Sequence, residues 1–368
     1  MPETSSENLV RRLAEQGPMS VGEYMRWCLT GREDAYYRDG NPLGGAGDFV
    51  TAPEVSQIFG ELISMWACAV WQSAGAPSPF TLAELGPGRG TLMQDAIRAS
   101  RSVPEFHEAA RVHLVETSAT LRETQRQTLI HACTPEWHED ISALPAVATL
   151  AIANEFFDAL PVEQYVFSQG EWRRRMVALN DQGELAFAVG GFAPPPMHLL
   201  PKAPPCEGDI LEHHPDVIPI MNELGRRAKT APLALVLADY GYERLDYGDT
   251  FQAVRHHGYA SVFETPGEID LSAHVSFTEL RMAAEAAGLQ VFGPMPQGDF
   301  LLALGLEQRL RQLLANADLS EEQRATLFLG ARRLADPFQM GSLFKVMAIT
   351  SADVPPPPPF ANSVASKG

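Results

Sequence analysis

Positive charge is scarce in this chain. Lysine and arginine number 28 against 46 aspartates and glutamates, which leaves a formal net charge of -18. Nucleic-acid binding depends on Lys and Arg neutralising phosphates, so a field of this sign repels a polyanion and no nucleic-acid partner is expected. A basic run such as Arg173-Arg174-Arg175 reads as an exposed strand edge. Cysteine is scarce too. Cys28, Cys68, Cys133 and Cys206 lie far apart with no C-x-x-C pair, so neither a disulfide framework nor a zinc site is expected. They read as thiols of a reducing compartment. No apolar run approaches the roughly 18 residues of a membrane-spanning helix, so no membrane insertion is expected. The opening segment, MPETSSENLVRRLAEQ, is acidic and lacks an apolar stretch of the secretory kind. A bacterial-type cytoplasmic location is the expectation.

What is present is ordinary for a globular protein: 45% hydrophobic and 20% charged residues in 368. Residues 1–75 read as a helical N-terminal cap. SSENLVRRLAEQG and SVGEYMRWCLTG each have a polar start, helical apolar spacing and a glycine stop. The Gly/Pro-rich stretch NPLGGAGDFVTAPE follows as a loop, then the apolar helix EVSQIFGELISMWACAVWQSAG. From residue 76 to 350 strands alternate with helices. FTLAEL, RVHLVE, VATLAIAN and LALVLADYG are buried strands, and LMQDAIRASR, SATLRETQRQTLIHAC and FTELRMAAEAAG are helices. LQVFGPM and LFKVMAI close the series as strands. Alternation of this kind predicts an α/β fold, a Rossmann-like parallel sheet with helices on both faces. Two insertions interrupt it. Residues 162–230 hold a period-two antiparallel lobe around the turns QG and DQG, and residues 299–337 read as two helices. Residues 351–368, beginning with a proline run, read as a disordered tail.

The informative stretch is FTLAELGPGRGTLM. Gly86, Gly88 and Gly90 alternate after an apolar strand that ends in Glu84-Leu85. A P-loop needs a lysine, and none lies nearby. The dinucleotide fingerprint needs a third glycine where Thr91 stands. Glycines of this spacing let the backbone pass close under the methionine and ribose parts of S-adenosyl-L-methionine (SAM). Glu84 can face the ligand's ammonium group. Glu116, at the tip of the next strand, can accept from both ribose hydroxyls. The competing readings are NAD as the ligand, or a plain tight turn with Glu116 merely exposed.

A second cluster, AIANEFFDALPVEQY, runs a buried strand into Asn154, Glu155, Phe156, Phe157 and Asp158. This position faces the reactive end of a ligand in an open α/β sheet. Glu155 and Asp158 can hold a guanidinium by forked hydrogen bonds, with the aromatic rings as cation partners. Helix capping by the acids over a core pair of phenylalanines is the alternative. Asp48 and Glu54 read either as a lid or as an ordinary helix entry. His274, four residues after Asp270, is a candidate proton relay or a structural histidine. Asp239, in DYG, reads as a site edge or a turn.

Taken in order, GDFVTAPEVSQIFGELI, LAELGPGRGTLMQD, VHLVETS, ANEFFDALPVEQ, DYG, GEIDLSAHVSF and MGSLFKV resemble the MidA/NDUFAF7-like family of SAM-dependent methyltransferases, over roughly residues 8 to 350. The resemblance implies a class I methyltransferase fold, a helical cap and an inserted lobe. It implies cofactor roles for Gly86, Gly88, Gly90 and Glu116, a lid at Gly47 and Asp48, and a match at Asn154, Glu155 and Asp158 to the motif that follows the strand VATLAIAN. Mitochondrial members are protein arginine methyltransferases acting on a core subunit of respiratory complex I in the matrix, which makes a protein the expected partner. Departures fall at Ser272, Ser276 and Val254, beside the expected substrate region. The expectation is therefore a SAM-dependent methyltransferase acting on a protein arginine through Glu155, Asp158 and His274. A small-molecule methyltransferase and a non-catalytic SAM-binding assembly factor are the alternatives.

Overall fold

Seven strands carry the architecture: β1 (Phe80–Leu85), β2 (Ala110–Val115), β3 (Glu136–His138), β4 (Thr149–Asn154), β5 (Leu233–Tyr242), β6 (Gln290–Pro296) and β7 (Phe344–Thr350). The computed structural model describes residues 4–31, 51–255 and 258–360. The strands pair in the order β6-β7-β5-β4-β1-β2-β3. β7 runs antiparallel to both β5 and β6, while the pairs among β1 to β5 are parallel. This is the doubly wound order 3-2-1-4-5-6 with one antiparallel strand slipped between the last two.

Parallel strands buried on both faces need apolar residues at every position, which is why FTLAEL and LALVLA show no polar alternation. Their residues sort by parity into two layers. Leu82, Val236, Val346 and Ala348 pack on one face against Phe59, Ile63 and Trp66 of the helix Gln57–Ser73. Ala83, Leu235, Leu237 and Met347 pack on the other against Met221 and Leu224 of Val217–Ala228 and Leu280 of Phe277–Ala286.

The N-terminal 75 residues do not form one cap. The helices Ser5–Gln16 and Val21–Leu29 share a core with the inserted lobe, where Leu9, Tyr24 and Trp27 meet Val162, Val177 and Ile269. Met19–Ser20 even pairs with Val177 and Met176 as a strand of the lobe's sheet. The helix from residue 57 belongs instead to the central core. It is separated from a short turn of helix, Ala52–Val55, by Ser56, whose extended backbone lets its hydroxyl accept from the Ile58 amide.

The lobe is a five-stranded antiparallel sheet whose longest strand, Glu171–Leu179, carries the three arginines. They are not an exposed edge. Arg175 bonds Gln164 and Asp249 and lies 3.6 Å over the Phe187 ring, and Arg174 lies over Tyr165. The insertion expected to reach 230 ends near 216, because Val217–Ala228 is the crossover helix returning to β5.

The stretch 299–337 holds three helices rather than two: Gln297–Ala303, Leu306–Leu314 and Glu321–Ala335. Gly305, with φ +97°, breaks the first from the second. The proline-rich segment expected to be disordered from 351 is packed as far as Phe360. Val354 and Phe360 are buried, and the Trp66 indole donates to the Pro358 carbonyl at 2.7 Å.

Candidate functional site

Sheet register assembles the site. Leu85 pairs with Val115 on one side and Ala153 on the other, so Gly86, Glu116 and Asn154 emerge side by side at the carboxyl ends of β1, β2 and β4. The strand order reverses between β1 and β4, the crevice where open α/β sheets bind ligands. A cavity of about 330 Å³ opens there, a size proper to small-molecule sites. Glu84, Gly86, Gly88, Glu116, Asn154 and Glu155 all line it.

The glycine turn is left-handed at each glycine: φ is +62° at Gly86, +54° at Gly88 and +85° at Gly90. L-residues enter that region at a cost. A β-carbon on Gly86 would also stand 2.9 Å from Phe156. Gly90 caps the helix Thr91–Ser100 and is not itself in the cavity wall, although Arg89 and Thr91 are.

Glu116 is buried and held. Its Oε1 accepts from the Ser118 amide at 2.8 Å and its Oε2 from the Gln125 side chain at 3.2 Å. Burial raises its pKa against the pull of those donors. The Gln125 amide also donates to the Gly88 carbonyl at 2.8 Å and its oxygen accepts from the Trp137 indole. One buried glutamine thus ties the glycine turn to the β2 carboxylate.

Glu84 is different. It is 2% exposed, its Oε2 has no hydrogen-bond partner, and burial pushes its pKa up to about 8. Asn154 Oδ1 is a second orphaned acceptor in the cavity wall. Orphaned buried acceptors are costly, and a ligand that donates hydrogen bonds relieves the cost.

At the β4 end, Glu155 takes φ +48°, a strained region for a non-glycine residue and one that clusters at active sites. Its Oε1 accepts from the Ala52 amide at 3.1 Å and from the Asn154 side chain. Burial, and next the neighbouring Asp158, push its pKa up to about 8. Asp158 and His274 do not line the cavity. Asp158 is buried behind Glu155, and its main-chain oxygen accepts from the Ala273 amide. Asp239 is fully buried and fixes the turn: its Oδ2 accepts from the amides of Phe157 and Asp158 at 3.0 and 3.3 Å. Burial raises both aspartates, and Glu155 and Asp158 add to the effect at Asp239. His274 meets the Tyr240 ring edge-on at 5.4 Å, and burial lowers its pKa. Tyr240 contributes to the field at Asp158, but neither Tyr240 Oη nor Asp158 Oδ1 has a hydrogen-bond partner, and half-buried His274 meets Tyr240 only ring to ring.

Gly47 and Asp48 lie outside the described residues. Glu54 does line the cavity, where its Oε1 accepts from Thr91 Oγ1 at 2.5 Å. Thr51 occupies the N-cap position of its short helix without a side-chain bond. Sequence reasoning missed Gln125, whose partners lie far apart along the chain, and Asp140 and Ile141, which border the cavity after a strand of only three residues. Ser276, one of the departures, caps the helix that follows it.

A glycine turn on the first strand, a carboxylate at the tip of the second and orphaned acceptors at the switch point define a nucleoside-binding α/β enzyme site. The family model for S-adenosyl-L-methionine-dependent methyltransferases matches residues 62–295, more than half of the chain. A Drosophila melanogaster protein named a protein arginine methyltransferase NDUFAF7 homolog, mitochondrial, is 34% identical over 94% of this chain and 84% of its own. The Homo sapiens protein arginine methyltransferase NDUFAF7, mitochondrial, is 33% identical over 93% and 82%. A Burkholderia thailandensis crystal structure with S-adenosyl-homocysteine (SAH) bound shares the fold, with a TM-score of 0.82 at 24% identity over 95% of this chain and 92% of that one. The chain belongs to this family of SAM-dependent methyltransferases, and its cofactor is SAM. The relatives are named mitochondrial, so the expected bacterial-type cytoplasmic location finds no counterpart in them. Among the described residues no helix is long and apolar enough to cross a membrane. The cavity fits the cofactor: Glu84 Oε2 and Asn154 Oδ1 await donors, and the β-carbon-free turn leaves room for a ligand against the backbone.

Proposed function

We propose that this enzyme methylates an arginine of a protein substrate. The observation that carries the reading is the strained, proton-retaining carboxyl of Glu155 in the cavity wall, backed by Asp158 and Asp239. Three acids this close repel one another once ionised, and a bound guanidinium relieves the repulsion. The curated relatives' names point to the same acceptor, and the family resemblance points to a respiratory complex I subunit as the protein that carries it.

Glu84 and Asn154 hold the cofactor's ammonium group, Gly86 and Gly88 let its chain lie against the backbone, and Glu116 takes the ribose hydroxyls. Gly90 sets the turn that begins the following helix. Val115, Leu121 and Ile141 supply apolar walls for the adenine. Gly47 and Asp48 keep the lid role that the resemblance gives them. When bound, SAM supplies an electrophilic methyl group on a sulfonium. The protein's own contribution is alignment and charge. Arginine arrives protonated. The arriving guanidinium displaces the proton that Glu155 holds, and the ionised Glu155 then orients it, localises its charge and takes up the proton its nitrogen gives up.

The test is mass spectrometry of complex I subunits incubated with the full-length chain and isotope-labelled SAM. Label on an arginine is the expected result, absent with Glu155→Gln although calorimetry still shows SAH bound. Label on a small molecule, or equal protein labelling by the variant, overturns the reading.

A further inference from the structure

Outside the cavity, one cluster has chemistry that methyl transfer does not use. β2 and β3 are parallel neighbours in which His113 pairs with Glu136 and Val115 with His138. Alternation along the strands puts His113, Glu136 and His138 on one face of the sheet. His113 Nδ1 lies 3.0 Å from His138 Nε2 and 3.9 Å from Glu136 Oε2, and one ligand atom from each of the three falls within 4.8 Å of the others. We propose that these three side chains form a divalent transition-metal site of the zinc type, two imidazoles and a carboxylate with the fourth position open to water.

The geometry nearly suits it. Two nitrogens each about 2.0–2.1 Å from a tetrahedral zinc stand roughly 3.3 Å apart. The rings need to part by only about 0.3 Å, and the Glu136 side chain, 75% exposed, is free to swing inward. His113 is buried on β2, one strand in from the sheet edge, so its nitrogen is fixed in place. The donor set selects the ion: imidazole nitrogens suit zinc, copper or nickel, while magnesium and calcium demand oxygen. Arg122 and Arg227 send a positive field toward His138. A weakly held hard cation cannot overcome that field, and inner-sphere imidazole bonds can. The site adjoins the cofactor cavity through the main chain, because the Glu116 amide donates to the His138 carbonyl at 2.9 Å. A bound ion therefore braces the strand tip that carries Glu116.

The competing occupant is a single proton shared between the two rings. Titrating the chelator-treated full-length chain separates the two, with zinc chloride in a calorimeter and cobalt chloride in a spectrophotometer. One equivalent of zinc and the intense visible bands of four-coordinate cobalt are expected. His138→Asn should abolish both. Glu136→Gln, on an exposed position where folding is safe, should weaken zinc binding by at least about tenfold, the least that loss of even an outer-shell partner costs. No saturable zinc binding in the wild-type chain, or binding unchanged in Glu136→Gln and in a folded His138→Asn, overturns the proposal in favour of the shared proton.

Discussion

The two sides of the switch point handle their acids in opposite ways. On the β1–β2 side, Glu116 is fixed by the Ser118 amide and by Gln125, which also grips the glycine turn. Its geometry is finished before any ligand arrives. On the β4–β5 side, Glu155, Asp158 and Asp239 crowd one another, and Glu155 holds a left-handed backbone to do so. On the mechanism proposed above, one side holds a fixed shape and the other changes its protonation when a cation enters. Preorganised acceptors serve binding, and raised acids serve proton transfer.

The largest expected effect breaks the comparison at Glu155. Removing a general base costs roughly 10²- to 10⁴-fold in turnover. Glu155→Gln keeps the hydrogen bond from Ala52 within reach but not the proton affinity, so kcat should fall within that range. SAH affinity by calorimetry should stay within about threefold of wild type, since uniform binding is untouched. A comparable loss in affinity would make Glu155 part of the holding side. Next in size is Glu116→Ala. Hydrogen bonds to a charged acceptor contribute about 1.5–3 kcal/mol, which predicts roughly 10- to 150-fold weaker SAH binding. An unchanged affinity would remove the ribose role. Smaller again is Gly86→Ala: a left-handed β-carbon costs about 1–2 kcal/mol. The push against Phe156 adds to that cost, and thermal melting reads the sum.

Legibility in the sequence divides along similar lines. β1, β2, β4 and β5 were readable because buried parallel strands are continuous apolar runs, β7 because an antiparallel strand buried on both faces is as apolar, and the glycine turn because positive φ leaves few other residues available. β3 was not read: three residues at a sheet edge carry no period. The break at Gly305 was hidden by leucines that continue on either side of it. Pairing of Met19–Ser20 with a strand some 150 residues away has no local signal at all. Within the site, Glu84, Glu116 and Glu155 stood out because acids at strand tips are conspicuous. Gln125 did not, since a polar residue on a helix looks solvated until the fold buries it. Asp158 and His274 were placed in the cavity by sequence logic. The sheet instead sets them behind it.

The subtlest prediction concerns Glu84, which sits on the holding side yet carries a raised pKa of about 8. An ordinary glutamate titrates near 4.3. A folded-state pKa raised above that value stabilises the fold fully below about pH 4.3, and the contribution is lost as pH climbs through about 8. Melting of the ligand-free chain should therefore fall across that interval, and Glu84→Gln should flatten the fall. Binding reverses the sign. The cofactor's ammonium favours the ionised carboxylate, so at pH 7 binding must expel most of one proton. Calorimetry of SAH in two buffers of different ionisation enthalpy reads that release directly. It should approach about one proton at pH 7, vanish above about pH 9.5 and be missing in Glu84→Gln. Release of equal size in the variant would move the titrating group to Glu155 and leave both sides of the switch point titrating alike.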